Sequence, residues 1–134
     1  MAHCSAFPSS SRREPDFKMN IVITGSTKGI GFGMAREFLR RGHHVVISSR
    51  GQPAVDQAVT TLSGAFSADM IAGQPCDVSQ FDQVQKLWDM AESAFGRVDI
   101  WINNAGRDGI QKPFHEMPPE DYTATVNTNL IGLM

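Results

Sequence analysis

The sequence predicts an α/β fold, a doubly wound parallel sheet in which strands alternate with helices. Three observations carry that prediction. Residues 19–31 read Met-Asn-Ile-Val-Ile-Thr-Gly-Ser-Thr-Lys-Gly-Ile-Gly, an apolar run passing straight into a glycine-punctuated turn. Residues 99–106 read Asp-Ile-Trp-Ile-Asn-Asn-Ala-Gly, a second apolar run that ends in small and polar residues. Between them short β-type runs alternate with longer stretches of helical period. That alternation makes crossovers right-handed and the sheet parallel.

Met19, Ile21, Val22 and Ile23 form the first strand, bounded by Gly25; an unbroken apolar run implies cover on both faces. In the helix that follows, Ile30, Met34, Ala35, Phe38 and Leu39 are expected to share one face. Arg40, Arg41 and Gly42 close it as a basic last turn and a C-terminal glycine. Val45 to Ser49 is the second strand. Pro53 suits the first turn of the next helix, whose Val55, Ala58, Val59 and Leu62 lie on one side before Gly64. Met70 to Cys76 is the third strand, with Pro75 pointing to an edge or a strand end.

Ser79 is an N-cap residue for a helix in which Phe81, Val84, Leu87, Trp88, Ala91 and Phe95 repeat at three and four. Gly96 ends it. Val98 to Asn103 is the fourth strand, with Trp101 read as core. A turn-rich loop carries Gly106, Gly109 and Pro113. Pro119 then opens a last helix with Tyr122, Val126, Leu130 and Leu133 on one side. The expected strand order is 3-2-1-4, with a ligand crossing the carboxyl ends of strands one and four.

Composition narrows the function classes. The chain has 134 residues, 41% of them hydrophobic, and a net charge of −2. This is one domain's worth of chain with no basic field for nucleic acid. No run of about 18 apolar residues is present, so no membrane span is expected. Cys4 and Cys76 fit neither a disulfide framework nor a metal pattern, which makes a reducing, cytoplasmic location the default. His43 and His44 are adjacent and expected to be solvent-exposed. The carboxylates of 82–89 and 116–121 are read as solvated faces, and no metal site is expected. Residues 1–18 have three consecutive serines, prolines and no period. They read as a disordered or spurious extension, with a transit-peptide end as the alternative, and the domain is taken as 19–134.

The glycine turn has a physical use. Gly25 permits the tight turn, Gly29 has no Cβ to block a pyrophosphate, and Gly31 lets the helix start pack near the strand. The first helical N–H groups and the positive end of the dipole then face the anion. A plain structural turn is the competing reading. The spacing Gly-x-x-x-Gly-x-Gly is neither Gly-x-Gly-x-x-Gly nor a P-loop. Thr24 to Gly31 resembles the first fingerprint of the short-chain dehydrogenase/reductase family, and Asp99 to Gly106 resembles its other N-terminal hallmark.

That resemblance implies a Rossmann-like fold and a nicotinamide cofactor held by Gly25, Ser26, Thr27, Lys28, Gly29, Ile30 and Gly31. Asp77 and Val78 resemble the family's adenine-side Asp-Val pair, with a turn residue as the alternative for Asp77. Asn104, Ala105 and Gly106 carry over to the loop beside the nicotinamide ribose. An NAD-specific site usually places an acid after the second strand. Here Ile47-Ser-Ser-Arg-Gly51 has none. Arg50 offers a fork to a 2′-phosphate, Ser49 a hydroxyl, and Lys28 a second cation. The cofactor expected is therefore NADP(H).

Of the family's four catalytic residues, only the helix Asn has a counterpart, Asn129. The single tyrosine, Tyr122, is followed four residues later by Val126 rather than Lys, and no matching Ser is found. The resemblance covers residues 19–134, about half of a family member, and implies the amino-terminal half of a longer reductase acting on a small-molecule carbonyl. Ile-Thr-Gly-Ser-Thr-Lys-Gly-Ile-Gly, Asp-Ile-Trp-Ile-Asn-Asn-Ala-Gly and Thr-Asn-Leu-Ile-Gly-Leu-Met are similar, within that family, to chlorophyll(ide) b reductases. That likeness implies reduction of a formyl group and a plastid address. A non-catalytic nucleotide-binding module is the alternative. The family's last helix in this stretch joins a dimer interface, implying a dimer or tetramer. Made alone, the chain is expected to expose its fourth strand as an edge; expression yield and turnover should show poor solubility and no reductase activity.

Overall fold

In a computed structural model, which describes residues 17–107 and 112–133, four strands form one parallel sheet. They are β1 (Asn20–Ile23), β2 (His44–Ile47), β3 (Ile71–Gly73) and β4 (Ile100–Ile102), in the spatial order β3-β2-β1-β4. The order expected from the alternation is the order observed. Ile23 pairs in register with Ile47 on one side and Ile102 on the other, so three strand ends lie level. The N-terminal segment 1–16, including Cys4, and Gly109 of the turn-rich loop lie outside the described residues.

Side-chain alternation along β1 explains the two covered faces. Ile21 and Ile23 point to the side where α1 (Gly29–Arg40) and α2 (Gln52–Ser63) deliver Ala35, Leu39, Ala58 and Leu62. Val22 and Val46 point the other way, onto Leu87 and Ala91 of α3 (Phe81–Phe95). Each Val, Leu or Ile among these contributes roughly 1.5–3 kcal/mol when fully buried. A last helix, α4 (Pro119–Asn129), follows the loop after β4.

The amino-terminal end of the sheet is tied by polar groups. The Asn20 amide donates to the carbonyls of Phe95 and Arg97, each at 3.1 Å. Its Oδ1 is thereby the acceptor for His44 Nδ1 at 2.8 Å, which places that ring's proton on Nδ1. The His44 ring stacks on Phe95 with centroids 4.8 Å apart. Asp99 accepts the Asn20 N–H at 2.8 Å and pairs with Arg97 at 2.7 Å. The Asn20 N–H first, and then Arg97, hold its carboxyl below the usual carboxylate range.

Several sequence expectations are corrected here. The strands are shorter: β2 starts at His44 and ends before Ser48, β3 stops at Gly73, and β4 covers Ile100–Ile102. The buried stripe of α1 is Gly31, Ala35 and Leu39, and Ile30 is 78% exposed. The reason is its place in the first turn of α1, beyond the strand ends and beside the cleft rather than over the sheet. Phe81 is likewise exposed, since it opens α3 ahead of the turn that meets the sheet. Ser79 does not cap α3; Gln80 holds that position without a side-chain bond. His43 and His44 are half-buried, because Met19, Phe38, Asn20 and Phe95 close over them. Asp121 is buried rather than solvated, paired with Arg107. The last helix stops at Asn129, and Val126, Leu130 and Leu133 stand exposed.

Urea unfolding separates these placements. Ile23→Ala is expected to cost about 2–5 kcal/mol, whereas Phe81→Ala should stay within about 0.5 kcal/mol of the parent. Equal effects would contradict the assigned core.

Candidate cofactor site

At the carboxyl ends of the strands the chain leaves β1 through a turn whose backbone is anchored from behind by two buried hydroxyls. Thr24 Oγ1 accepts the N–H groups of Asn104 (3.1 Å) and Ala105 (3.0 Å) and contacts the Ile102 carbonyl at 3.3 Å. Ser26 Oγ donates to the Ile23 carbonyl at 2.7 Å and accepts the Ser48 N–H at 2.9 Å. The Ser26 N–H answers to the Ser48 carbonyl at 2.8 Å. The Asn104 amide nitrogen donates to the carbonyls of Thr24 and Gly25, both at 3.0 Å, and so bridges β1 to the loop after β4.

Two glycines are demanded by this geometry. Gly25 has φ +65°, and a Cβ there would stand 2.7 Å from Ala105 Cα. A Cβ on Gly31 would stand 2.6 Å from the Gly25 carbonyl oxygen. Neither position accepts a side chain without moving backbone. Beyond this turn α1 begins with no side-chain cap and no acidic residue in its first turn. Its leading N–H groups are thus left to a ligand or solvent.

A cleft of about 360 Å³ opens in front of the turn. It is lined by Gly25, Thr27, Lys28, Gly29, Ile30, Gly31, Ser49, Arg50, Asp77, Val78, Asn104, Ala105 and Gly106, all nominated from the sequence. Ile30, lost from the core, is found here. Two nominated residues are placed elsewhere. Ser26 lies beneath the turn as a tie between strand ends, fully buried. Asn129 turns to the backbone of Arg107, accepting its N–H at 2.7 Å and donating to its carbonyl at 2.9 Å. Asp77 lines the cleft and also shapes a turn: its Oδ1 accepts from the Ser79 N–H (3.0 Å) and hydroxyl (2.7 Å). Trp101 is not part of the lining; it stacks against Trp88 at 5.9 Å.

Sequence reasoning missed Cys76 and Thr128 among the lining residues, and missed the anchoring role of Thr24. Thr24 opened the glycine motif and could have been read as a strand-end hydroxyl. Thr128 shows itself only once α4 is folded against the cleft. Ser49 Oγ is buried and has no hydrogen-bond partner among the described residues. Burial, and then the negative charge of Asp77, push the Cys76 thiol up to about 11.

Comparison with known proteins accords with this geometry. The family model for short chain dehydrogenases matches residues 19–134. The chain belongs to that family. It is 44% identical over 116 residues to the protein named chlorophyll(ide) b reductase NOL, chloroplastic, of Oryza sativa subsp. japonica, covering 86% of this chain and 34% of that protein. It is 30% identical to a 3-ketoacyl-(acyl-carrier-protein) reductase from Brucella melitensis complexed with NADH, at a TM-score of 0.78, over 87% of this chain and 46% of that one. An actinorhodin polyketide ketoreductase with NADPH matches at 30% identity and a TM-score of 0.77, over 86% and 43%. The chain thus spans about a third of the curated relative's length and just under half of each structure's.

Two measurements check the site. Thr24→Val, which keeps the shape and removes the hydroxyl, should cost roughly 1–3 kcal/mol by leaving the Asn104 and Ala105 N–H groups without their acceptor. Urea titration reads that loss. For Cys76 in a Cys4→Ser background, alkylation by iodoacetamide should follow a midpoint near 11. The fold holds the thiol proton more tightly than the open chain. That contribution to stability is therefore complete below about 8.5 and is lost as pH rises through about 11. Rapid labelling at neutral pH would contradict the burial.

Proposed function

We propose that this chain forms the NADP(H)-binding part of a reductase that delivers hydride to the carbonyl of a small molecule. The observation that carries the proposal is the grouping of Lys28, Ser49 and Arg50 on one cleft, with no carboxylate in Ser48-Ser-Arg-Gly51 at the tip of β2. The residues present fit such a cofactor. Gly29 has φ +58° and open space where a Cβ would stand, and the α1 terminus is uncapped. Both suit a close-approaching pyrophosphate. The partnerless Ser49 hydroxyl beside Arg50 suits a 2′-phosphate.

In this reading the N–H groups that open α1 hold the pyrophosphate between Ser26 and Gly31. Lys28, Ser49 and Arg50 select the 2′-phosphate. Asp77 and Val78 flank the adenine, while Asn104, Ala105 and Gly106 flank the nicotinamide ribose. Asn129 acts through the Arg107 loop. The bound cofactor supplies hydride. Proton transfer to the substrate oxygen is assigned to no residue of this chain, since Tyr122 has Val126 where the family's pattern asks for Lys.

Chlorophyll(ide) b is the substrate proposed for the whole protein, on the strength of the relative's name and 44% identity. The chloroplastic location in that name favours a plastid over the cytoplasm expected from composition. No described helix is long and apolar enough to cross a membrane. A homo-oligomer, dimer or tetramer, is proposed for the complete protein, which leaves the exposed Val126, Leu130 and Leu133 of this chain for contact.

Calorimetric titration tests the cofactor. NADPH should bind roughly 10- to 100-fold more tightly than NADH, the worth of one or two charge-assisted hydrogen bonds. Arg50→Asp should reverse the order. Indistinguishable titration curves for the two nucleotides would reject the assignment.

A further inference from the structure

Segment 104–107, which follows β4, is anchored at both ends. At its start Asn104 and Ala105 bond to Thr24 behind the glycine turn. At its other end Arg107 makes three contacts with α4. Asn129 clasps its backbone N–H and carbonyl at 2.7 and 2.9 Å, and its guanidinium meets Asp121 Oδ1 at 3.0 Å. Gly106 lies between the anchors and forms part of the cleft wall. A Cβ on Gly106 would stand 3.6 Å from Asn129 Oδ1, so the wall rests close against the clasp.

The ion pair is built to last. Asp121 is only 8% exposed and stands in the first turn of α4, where the positive end of the helix favours a carboxylate. Removing either partner would leave the other charge half-buried and uncompensated. Strand order fixes which end of the cleft is involved. β2, carrying Ser49 and Arg50 after its last residue, lies on one side of β1, and β4 lies on the other. A dinucleotide that spans the cleft therefore has one end beside Arg50 and the other against Gly106.

We infer that Arg107 and Asp121 are positioning residues: their ion pair locks the Gly106 wall onto α4 and sets the grip on the end of the dinucleotide remote from Arg50. The inference rests on the cofactor reading above. With the pair broken, the loop keeps its anchor at Thr24 and loses part of the one at α4. The half of the ligand beside Arg50 is untouched by that change.

The test compares NADPH with adenosine 2′,5′-bisphosphate, which carries the phosphate-selecting half alone. In Arg107→Met and Asp121→Leu, NADPH affinity should fall roughly tenfold, while the bisphosphate binds as it does to the parent. Amide exchange at Gly106 and Arg107 should quicken without change in β2. Asp121→Asn, which keeps an oxygen acceptor for the guanidinium, should recover most of the NADPH affinity and serves as the milder variant if the others fold poorly. Loss of both ligands in parallel, or of neither, would overturn the inference. A parent chain that binds neither nucleotide removes the cofactor reading and this inference with it. A parent that binds both, with variants that match it, removes this inference alone.

Discussion

The cleft depends on the two hydroxyls buried behind it. Thr24 and Ser26 tie the end of β1 to the loop after β4 and to the end of β2. The ends of β1, β2 and β4 are level here, and the N–H and C=O groups just beyond them need partners outside the ladder. Here Thr24 and Ser26 satisfy those groups from the protein side. The turn can therefore present its front to a ligand without collapsing onto its own backbone. The demands on Gly25 and Gly31 follow from the same closeness, since the space a Cβ would need is already taken by Ala105 and by the turn itself.

Packing and chemistry divide along the sheet. The middle of β1 contributes only apolar side chains, with Ile21, Val22 and Ile23 covered by α1 and α2 on one face and α3 on the other. Both ends are polar and tied. At the amino end Asn20, His44 and Asp99 hold neighbouring strands together. At the carboxyl end the ties leave an opening, lined by Lys28 from the turn after β1 and Arg50 from the end of β2. This is the place where doubly wound sheets hold ligands, because the strand order reverses across β1. Lys28 and Arg50 are ordinary exposed cations taken singly; their sharing of one cleft with a partnerless serine hydroxyl gives them meaning.

The opposite side of the cleft is made differently. Loop 104–107 carries small residues near the opening and a charged clasp at its far end, where Arg107 reaches Asp121 and Asn129. One wall is thus held by short hydroxyl bonds within the sheet. The other depends on a helix that packs beside it. The relatives share the sheet and its turn over much of this chain, at TM-scores of 0.77 and 0.78.

Much was legible in the amino-acid order because it is local. The apolar runs and the Pro and Gly boundaries specified an α/β chain, since period and turn chemistry act within a few residues. The strand order followed from the doubly wound architecture, and most of the thirteen lining residues from the family resemblance of two short motifs. What tertiary structure decided are matters of rotation and of distant pairing. Ile30 and Phe81 were taken for core because they keep the helical period, but both stand in the first turn of their helices, ahead of the residues that meet the sheet. His44 and Asp121 looked solvated because their partners, Asn20 and Arg107, stand 24 and 14 residues away. Thr128 entered the cleft only when α4 came to rest beside it. Local periodicity names the elements; only their docking settles which polar groups meet.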